Sequence, residues 1–366
     1  MKKKSGQYLI RILFLLVGAA CGLIASFYQI GFLVLFLSML AALFLQIIIH
    51  ELGHLVCGLI SGYRFSSFRI GSLMLIKKPN GMKLKRFSLM GTGGQCLMEP
   101  PEQKHDQIPY KLYNFGGVLW NLIASCVFFA FFLMPTHSSE CSVFTLLATI
   151  IGIAFALTNG IPMHLMVDND GYNALNLGKS SEALRAFWLQ LKINAMLTNG
   201  VRLKDMPDEW FVLPSEEALK NGLSATIGVL SCNRAMDQLN FQLASDLARV
   251  MLETDTGILT VHRFMLISEC MFCELIGENR PERLQEARTK EFLKYEKNMK
   301  NYPSLLRTQY AYELLAKGDE EAANKKLSRF EMIAKSYPYE SEIIGERELL
   351  AYVKQCYAKK ESFHAH

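Results

Sequence analysis

Two histidines and a glutamate at fixed spacing, His50-Glu51-Leu52-Gly53-His54, stand inside the apolar run from Ile47 to Val56. On a helix, residues four apart lie one above the other on one face, so both imidazoles can reach a single zinc ion. Glu51 projects beside them, where a carboxylate can take a proton from water activated at such a centre. Ionisable groups are costly within a long apolar segment and are functional candidates by default, so the setting of these five residues favours chemistry over a chance match.

The elements that position them read as membrane spans. Of 366 residues, 51% are apolar, and nearly all the long apolar runs precede Asn169. Residues 1–172 therefore form an expected membrane core and residues 173–366 a soluble helical domain. Lys2, Lys3 and Lys4 precede a first span from Tyr8 to Phe27, broken only by Arg11, and place the N-terminus in the cytoplasm. Without a small-residue cleavage site, this segment reads as a retained span rather than a signal peptide. A turn over Tyr28 to Gly31 leads into a second span, Phe32 to Ile60. That span would carry His50 and His54 to a depth of roughly 10–15 Å from the cytoplasmic face.

A loop of residues 63–113 follows, and Arg64, Arg69, Lys77, Lys78, Lys83, Lys85 and Arg86 mark it as cytoplasmic. Strands over Ser67 to Ile76 and Met82 to Met90 are expected to form a β-hairpin around Pro79-Asn80-Gly81. The glycines of Gly91-Thr92-Gly93-Gly94-Gln95-Cys96-Leu97-Met98 permit close backbone approach, or mark a plain loop. A third span begins at Phe115, ends near Met134-Pro135, and opens with Gly116-Gly117-Val118-Leu119-Trp120-Asn121. Small residues there allow close helix packing, and the Asn121 amide can bond across to a neighbour. The link Thr136 to Ser142 carries no lysine or arginine, as befits an outside loop. A fourth span, Val143 to Leu157, breaks at Asn159-Gly160-Ile161-Pro162, a pattern tolerated where backbone lines a cavity. In Val167-Asp168-Asn169-Asp170-Gly171, Asp170 is either the N-cap of a helix over Tyr172 to Leu177 or a third metal ligand from a different helix.

Taken together, residues 45–172 resemble the site-2 protease family of intramembrane zinc metalloproteases. The resemblance rests on His50-Glu51-Leu52-Gly53-His54, the Gly91 to Met98 segment, Gly117 to Asn121, and Asn159-x-x-Pro162 followed by Asp170-Gly171. Val118 stands where the family commonly has proline, and the spacing from Pro162 to Asp170-Gly171 is longer than usual. The resemblance implies one zinc per chain held by His50, His54 and Asp170, with Asp168 the alternative third ligand. It makes Glu51 the general base, later protonating the leaving amine. Asn159 would bond the substrate backbone or the oxyanion. Asn121 would contact substrate or serve as an interhelical bond, and the edge holding Gly93 and Gly94 could add a strand to an unwound substrate.

Beyond Asn173, amphipathic helices are expected at Ser180 to Leu197, Ser215 to Leu230, Asp237 to Glu253, Val261 to Ile276, Arg280 to Asn298, Ser304 to Ala316 and Glu320 to Ser336. Gly178 with Ala183, and Gly318 with Ala323, share the offset of tetratricopeptide-like hairpins, and Pro338 reads as a terminator. Such an α-helical repeat could bind a peptide or protein ligand. His364 and His366 read as disordered tail. A net charge of +5 fits a positive-inside membrane protein and calls for no nucleic acid. Nine scattered cysteines make no disulfide framework, and Cys270 with Cys273 read as two small buried residues on a helix.

The expected fold is thus an α-helical polytopic membrane protein of about four spans with a small β-hairpin insertion, plus an all-α C-terminal domain. The expected activity is hydrolysis of a peptide bond in a membrane-embedded or membrane-adjacent segment of a protein or peptide. The expected setting is the lipid bilayer of a bacterial cell membrane, with the C-terminal domain cytoplasmic. Two other readings stay open: a non-catalytic receptor or scaffold with a structural zinc site, and an accessory of peptide export or immunity that binds without cutting. Glu51 argues against the first, since a structural site has no use for a general base.

Overall fold

The computed structural model describes residues 2–87, 92–103, 108–135, 138–164 and 168–364. The chain forms two units, one of Met1–Leu75 with Ser88–Ser181, the other of Ile76–Phe87 with Glu182–His366.

In the first unit, helices α1 (Lys2–Tyr28), α2 (Phe32–Ile60), α3 (Tyr110–Phe132) and α4 (Ser139–Gly160) contain the stretches long and apolar enough to cross a bilayer. Their outer faces expose Phe14, Leu15, Phe27, Phe32, Leu37, Ile123 and Val127, as lipid-facing helices do. An apolar core joins Cys21 and Ile24 of α1, Ala42 of α2, and Val143, Leu147, Ala148 and Ile151 of α4. Gln46, Asn121, Ser125 and Thr149 are buried as well, so α2, α3 and α4 also meet through polar groups. Helices α2 and α3 touch backbone to backbone: a Cβ on Gly53 would fall 2.3 Å from the Gly116 carbonyl oxygen. Helix α3 begins at Tyr110, earlier than the expected Phe115. Helix α4 runs through Asn159 and Gly160, so these two lie in regular helix rather than in broken backbone. It stops at Ile161 (φ −71, ψ 121) because Pro162 disfavours helical backbone in the residue before it. A short helix, α5 (Asp170–Asn176), follows.

Strands β1 (Arg64–Ile70), β2 (Leu73–Lys78), β3 (Gly81–Arg86) and β4 (Gly94–Glu99) form a sheet in the order β3-β2-β1-β4. The single strand expected over Ser67 to Ile76 is two strands, because the chain turns at Gly71, whose φ of +58 suits glycine. The hairpin at Pro79-Asn80 is present, but its second strand ends at Arg86; Ser88 to Gly91 lie outside the described residues. Strand β1 pairs antiparallel with β4, Arg64 opposite Glu99 and Ile70 opposite Gly94, with an irregularity between Phe65 and Ser67. Arg69 is no solvated loop charge: it is fully buried. It donates to the Gly71 carbonyl (2.7 Å), to the Thr92 hydroxyl and, at 3.4 Å, to the Gly94 carbonyl, tying β1 to the chain entering β4.

The second unit is built of helices α6 (Ser181–Thr198), α7 (Glu216–Leu219), α8 (Gly222–Asp237), α9 (Phe241–Glu253), α10 (Thr260–Ile276), α11 (Pro281–Ala287), α12 (Lys290–Asn298), α13 (Pro303–Ala311), α14 (Glu320–Ala334) and α15 (Glu340–His364). Two expected helices are split by internal caps. Asn221 accepts from the Leu223 and Ser224 amides and starts α8, and Thr289 accepts from the Phe292 amide and starts α12. Helix α15 lies beyond the expected terminator Pro338, so His364 ends a helix rather than belonging to a tail; His366 lies outside the described residues. Packing runs from α8 to α9 to α10, then to α13, which also meets α14 and α15. The interior holds a buried ion pair, Arg307 Nη2 donating to both oxygens of Glu269 at 2.6 and 2.8 Å. The hairpin tip belongs to this unit: Lys78 donates to the Pro338 carbonyl (3.3 Å), and Phe87 sets its ring edge-on to Tyr337 and Tyr339.

Candidate metal centre

Helix α2 delivers His50 and His54 on one face, with their Nε2 atoms 3.2 Å apart. Asp170, the first residue of α5, brings its Oδ2 to 3.0 Å from His50 Nε2 and 3.4 Å from His54 Nε2. What places it there is Asn169. The Asn169 side chain caps α5 by accepting from the Tyr172 amide (3.0 Å) and also accepts from the Met163 amide (3.0 Å). Its own amide donates to the carbonyls of Thr158 (2.8 Å) and Ile161 (2.7 Å) at the end of α4. The capping role open to Asp170 in the sequence is therefore filled by its neighbour, and the Asp170 carboxylate is left to face the imidazoles. Gly171 permits the approach, since a Cβ there would lie 2.0 Å from the Gly160 carbonyl oxygen. Asp168 points elsewhere: its Oδ1 lies 2.5 Å from His164 Nδ1.

Behind the imidazoles, His50 Nδ1 sits 2.7 Å from Asn121 Oδ1, and His54 Nδ1 sits 2.8 Å from the Tyr113 carbonyl oxygen. Asn121 is fully buried. Gly117 of α3 forms the floor under His50, because a Cβ there would fall 2.4–2.6 Å from three atoms of the ring. Glu51 is buried on the side of β4: a Cβ on Gly94 would come within 2.7 Å of its carboxylate, and the Cys96 amide hydrogen-bonds it. The Cys96 carbonyl in turn accepts from the Tyr113 hydroxyl (2.9 Å). Gly93 is exposed and approaches Ile47. Asn159 is half-buried in the last turn of α4 and donates to the Phe155 carbonyl at 3.0 Å. Val118, standing in place of proline, packs against Gly160.

The donor set fits a metal. Each imidazole has its Nδ1 against an oxygen acceptor, so in the neutral ring the proton sits on Nδ1 and a lone pair on Nε2. Two Nε2 lone pairs and a carboxylate oxygen then converge, and Asp170 Oδ2 is buried without a hydrogen-bond donor. Three acceptors at such distances repel unless a cation lies among them. Ligand atoms bound tetrahedrally to zinc at 2.0–2.1 Å are about 3.3–3.4 Å apart, close to the separations seen. Among the described residues this is the one group of three or more His, Cys, Asp or Glu side chains placed to hold a metal ion; Cys270 and Cys273, partly buried on α10, are not part of such a group.

The model of peptidase family M50 matches residues 38–231, more than half of the chain. The chain belongs to peptidase family M50. This is the site-2 protease family, which is zinc-dependent, and membership supports a membrane metallopeptidase. No curated protein and no solved structure matches the chain. The M50 match takes in every residue of the centre, from His50 to Asp170, while the helices from α9 onward lie outside it.

Two contributors to the M50 site escape sequence reading. Arg69 looks like any loop cation until β1 and β4 bury it. Gln46, fully buried, donates to the Ala148 carbonyl (2.8 Å) and accepts from Asn121 (2.7 Å). One glutamine in the apolar run before His50 is the only trace it leaves in the sequence.

Proposed function

We propose that this M50 peptidase is an intramembrane zinc endopeptidase that hydrolyses a peptide bond in a membrane-embedded or membrane-adjacent segment of a protein or peptide. The observation that carries the reading is the convergence of His50 Nε2, His54 Nε2 and Asp170 Oδ2, with Glu51 alongside, the two histidines and the glutamate standing on a helix able to cross a bilayer. His50, His54 and Asp170 would hold the ion, which when bound supplies a Lewis acid that makes water nucleophilic and polarises the scissile carbonyl. Glu51 accepts the proton of the attacking water as the C–O bond forms, and returns it to the amine nitrogen as the C–N bond breaks.

The substrate must be unwound to present a single bond, and an unpaired backbone in the bilayer is costly. Strand β4 ends the sheet order and can pair with an extended segment. The part of this edge that holds Gly93 and Gly94, beside Ile47 and Glu51 of α2, is proposed for this pairing. Asn159, whose carbonyl lies close to Gly171 beside Asp170, is proposed to bond the substrate backbone. The basic N-terminus and loop support a cytoplasmic position for the C-terminal helices in a bacterial cell, where repeat-like hairpins would offer a surface to a peptide or protein.

Purified protein is expected to hold about one zinc per chain. Glu51→Gln should keep the zinc while single-span proteins accumulate uncleaved in membranes, as read by comparative membrane proteomics. Unimpaired cleavage by that variant would overturn the mechanism.

A further inference from the structure

Whether His50 can bind metal depends on which ring nitrogen carries its proton, and that choice is made through two side-chain amides in series. An amide's oxygen and nitrogen are easily interchanged in assignment, so the polarity of such a chain has to be fixed from groups that cannot be reversed. Here two main-chain carbonyls do so, because a carbonyl oxygen can only accept.

The first is the Ala148 carbonyl of α4, which lies 2.8 Å from the end of the Gln46 amide. That end must be Nε2, so the Gln46 oxygen, Oε1, faces the other way, to 2.7 Å from Asn121. The second is the main-chain carbonyl of Gln46 itself, 3.0 Å from the same Asn121 atom. An atom lying against two acceptors must be the Asn121 amide nitrogen, and both its protons are used. The Asn121 oxygen is thereby turned to His50 Nδ1, 2.7 Å away. An acceptor there holds the proton on Nδ1 and leaves Nε2 its lone pair, directed at Asp170 and His54. His54 reaches the same state in one step, through the Tyr113 carbonyl.

We infer that Gln46 and Asn121 are positioning residues that set the tautomer of His50, with the Ala148 carbonyl as the fixed end of the relay. The inference rests on the metal-site reading above and extends it to a residue one helical turn before the histidine. Reversing the Asn121 amide would present N–H to His50 Nδ1, move the ring proton to Nε2 and cancel a metal ligand without touching any ligand residue; reversing the Gln46 amide would remove one of the two acceptors that oppose that reversal. Both relay side chains are wholly buried, so exchange with water offers no alternative partner.

The test compares full-length wild type with Gln46→Leu, Asn121→Ala and Gln46→Glu in detergent. Zinc affinity is read by chelator competition. The tautomers of His50 and His54 are read by ¹⁵N NMR of the metal-free protein with both rings neutral. Asn121→Ala should weaken zinc binding roughly 10- to 100-fold and shift His50 toward Nε2–H; Gln46→Leu, which leaves the residue-46 main-chain carbonyl against Asn121, should move both in the same direction by less. His54, held by main chain, should keep Nδ1–H in both, which shows that the fold is intact. A protonated glutamate has the polarity of glutamine, donating to Ala148 and accepting from Asn121, so Gln46→Glu should retain both the tautomer and the affinity. Wild-type affinity with an unchanged His50 tautomer in Gln46→Leu and Asn121→Ala overturns the relay. So does a folded Gln46→Glu in which His50 has shifted. Absence of zinc binding in wild type would instead remove the metal-site reading, and the tautomer readout would still decide the relay.

Discussion

Gly117→Ala tests whether the centre depends on geometry rather than on ligand identity alone. The added Cβ would stand 2.4 Å from His50 Cε1, 2.5 Å from Nε2 and 2.6 Å from Nδ1. Ordinary contact begins near 3.4 Å, so ring or helix must yield by about 1 Å. Helix α3 cannot retreat freely, because Asn121 ties it to the Gln46 carbonyl of α2 at 3.0 Å. The ring must therefore move, and its 2.7 Å bond to Asn121 and its 3.0 Å approach to Asp170 cannot both survive. A displacement of about 1 Å at a reacting centre costs roughly 100-fold in rate, and overpacking of this kind costs about 1–3 kcal/mol in stability. The expected variant is folded but binds zinc at least tenfold more weakly and cleaves about a hundredfold more slowly. Chelator competition, cleavage of a co-expressed single-span substrate and thermal unfolding in detergent would be measured together. Gly18→Ala is the control, since nothing lies within 4 Å of a Cβ at that position. If Gly117→Ala binds zinc and cleaves as well as Gly18→Ala, the close fit of α3 against His50 is not what holds the centre.

Asp170→Asn should lose zinc while Asp168→Asn, whose carboxylate engages His164, should keep it; the opposite pattern in metal analysis would exchange the two assignments. Asn169→Ala removes the cap of α5 and the ties to Thr158 and Ile161, so zinc affinity should fall with every ligand in place, and the cap alone should cost about 1 kcal/mol in unfolding measurements. In the helical unit, burial pushes the Glu342 carboxyl up to about 7. The native state then keeps a proton that the unfolded chain releases, so stability is highest below the ordinary carboxylate range and falls as pH rises through 7, by about 3 kcal/mol at pH 8. Glu342→Gln should lessen that slope, burial pushing the nearby Glu346 carboxyl up to about 7 as well, and a wild-type unfolding temperature that does not change between pH 5 and 8 would refute it.

The chemistry-bearing part of the chain was legible where a local period carries it. His50, Glu51 and His54 declare themselves because a helix repeats every 3.6 residues, and α2 is that helix. Choosing between Asp168 and Asp170 is a different problem. The two share composition and neighbourhood, and what separates them is the capping of α5 by the asparagine between them. That asparagine is as good a cap as either aspartate, so cap preference alone does not separate them. Gln46 and Arg69 were not resolvable. Most of their partners lie far off in sequence, at Ala148 and Asn121 for one and at Thr92 and Gly94 for the other. A polar residue in an apolar run signals that some partner exists, without saying which.

The same reasoning explains how one loop carries two different roles. By composition, residues 63–113 are a single basic insertion, but their cations divide by what they meet. Arg69 is spent on the main chain entering β4, next to the Gly94 that abuts Glu51. Lys78 and Lys85 instead donate to the carbonyls of Pro338 and Lys335, within the helical unit. Each of these contacts brings a cation to a main-chain carbonyl, which charge patterning along the chain cannot reveal. The positive charges that suggest a side of the membrane are thus the same groups that secure the strands, and Lys78, itself buried, has its pKa lowered by that burial. A topology read from counting lysine and arginine gives such residues equal weight. The structure gives a different physical task to Arg69, to Lys78 and to the exposed charges, and only the exposed ones are free to report on the potential at the membrane surface.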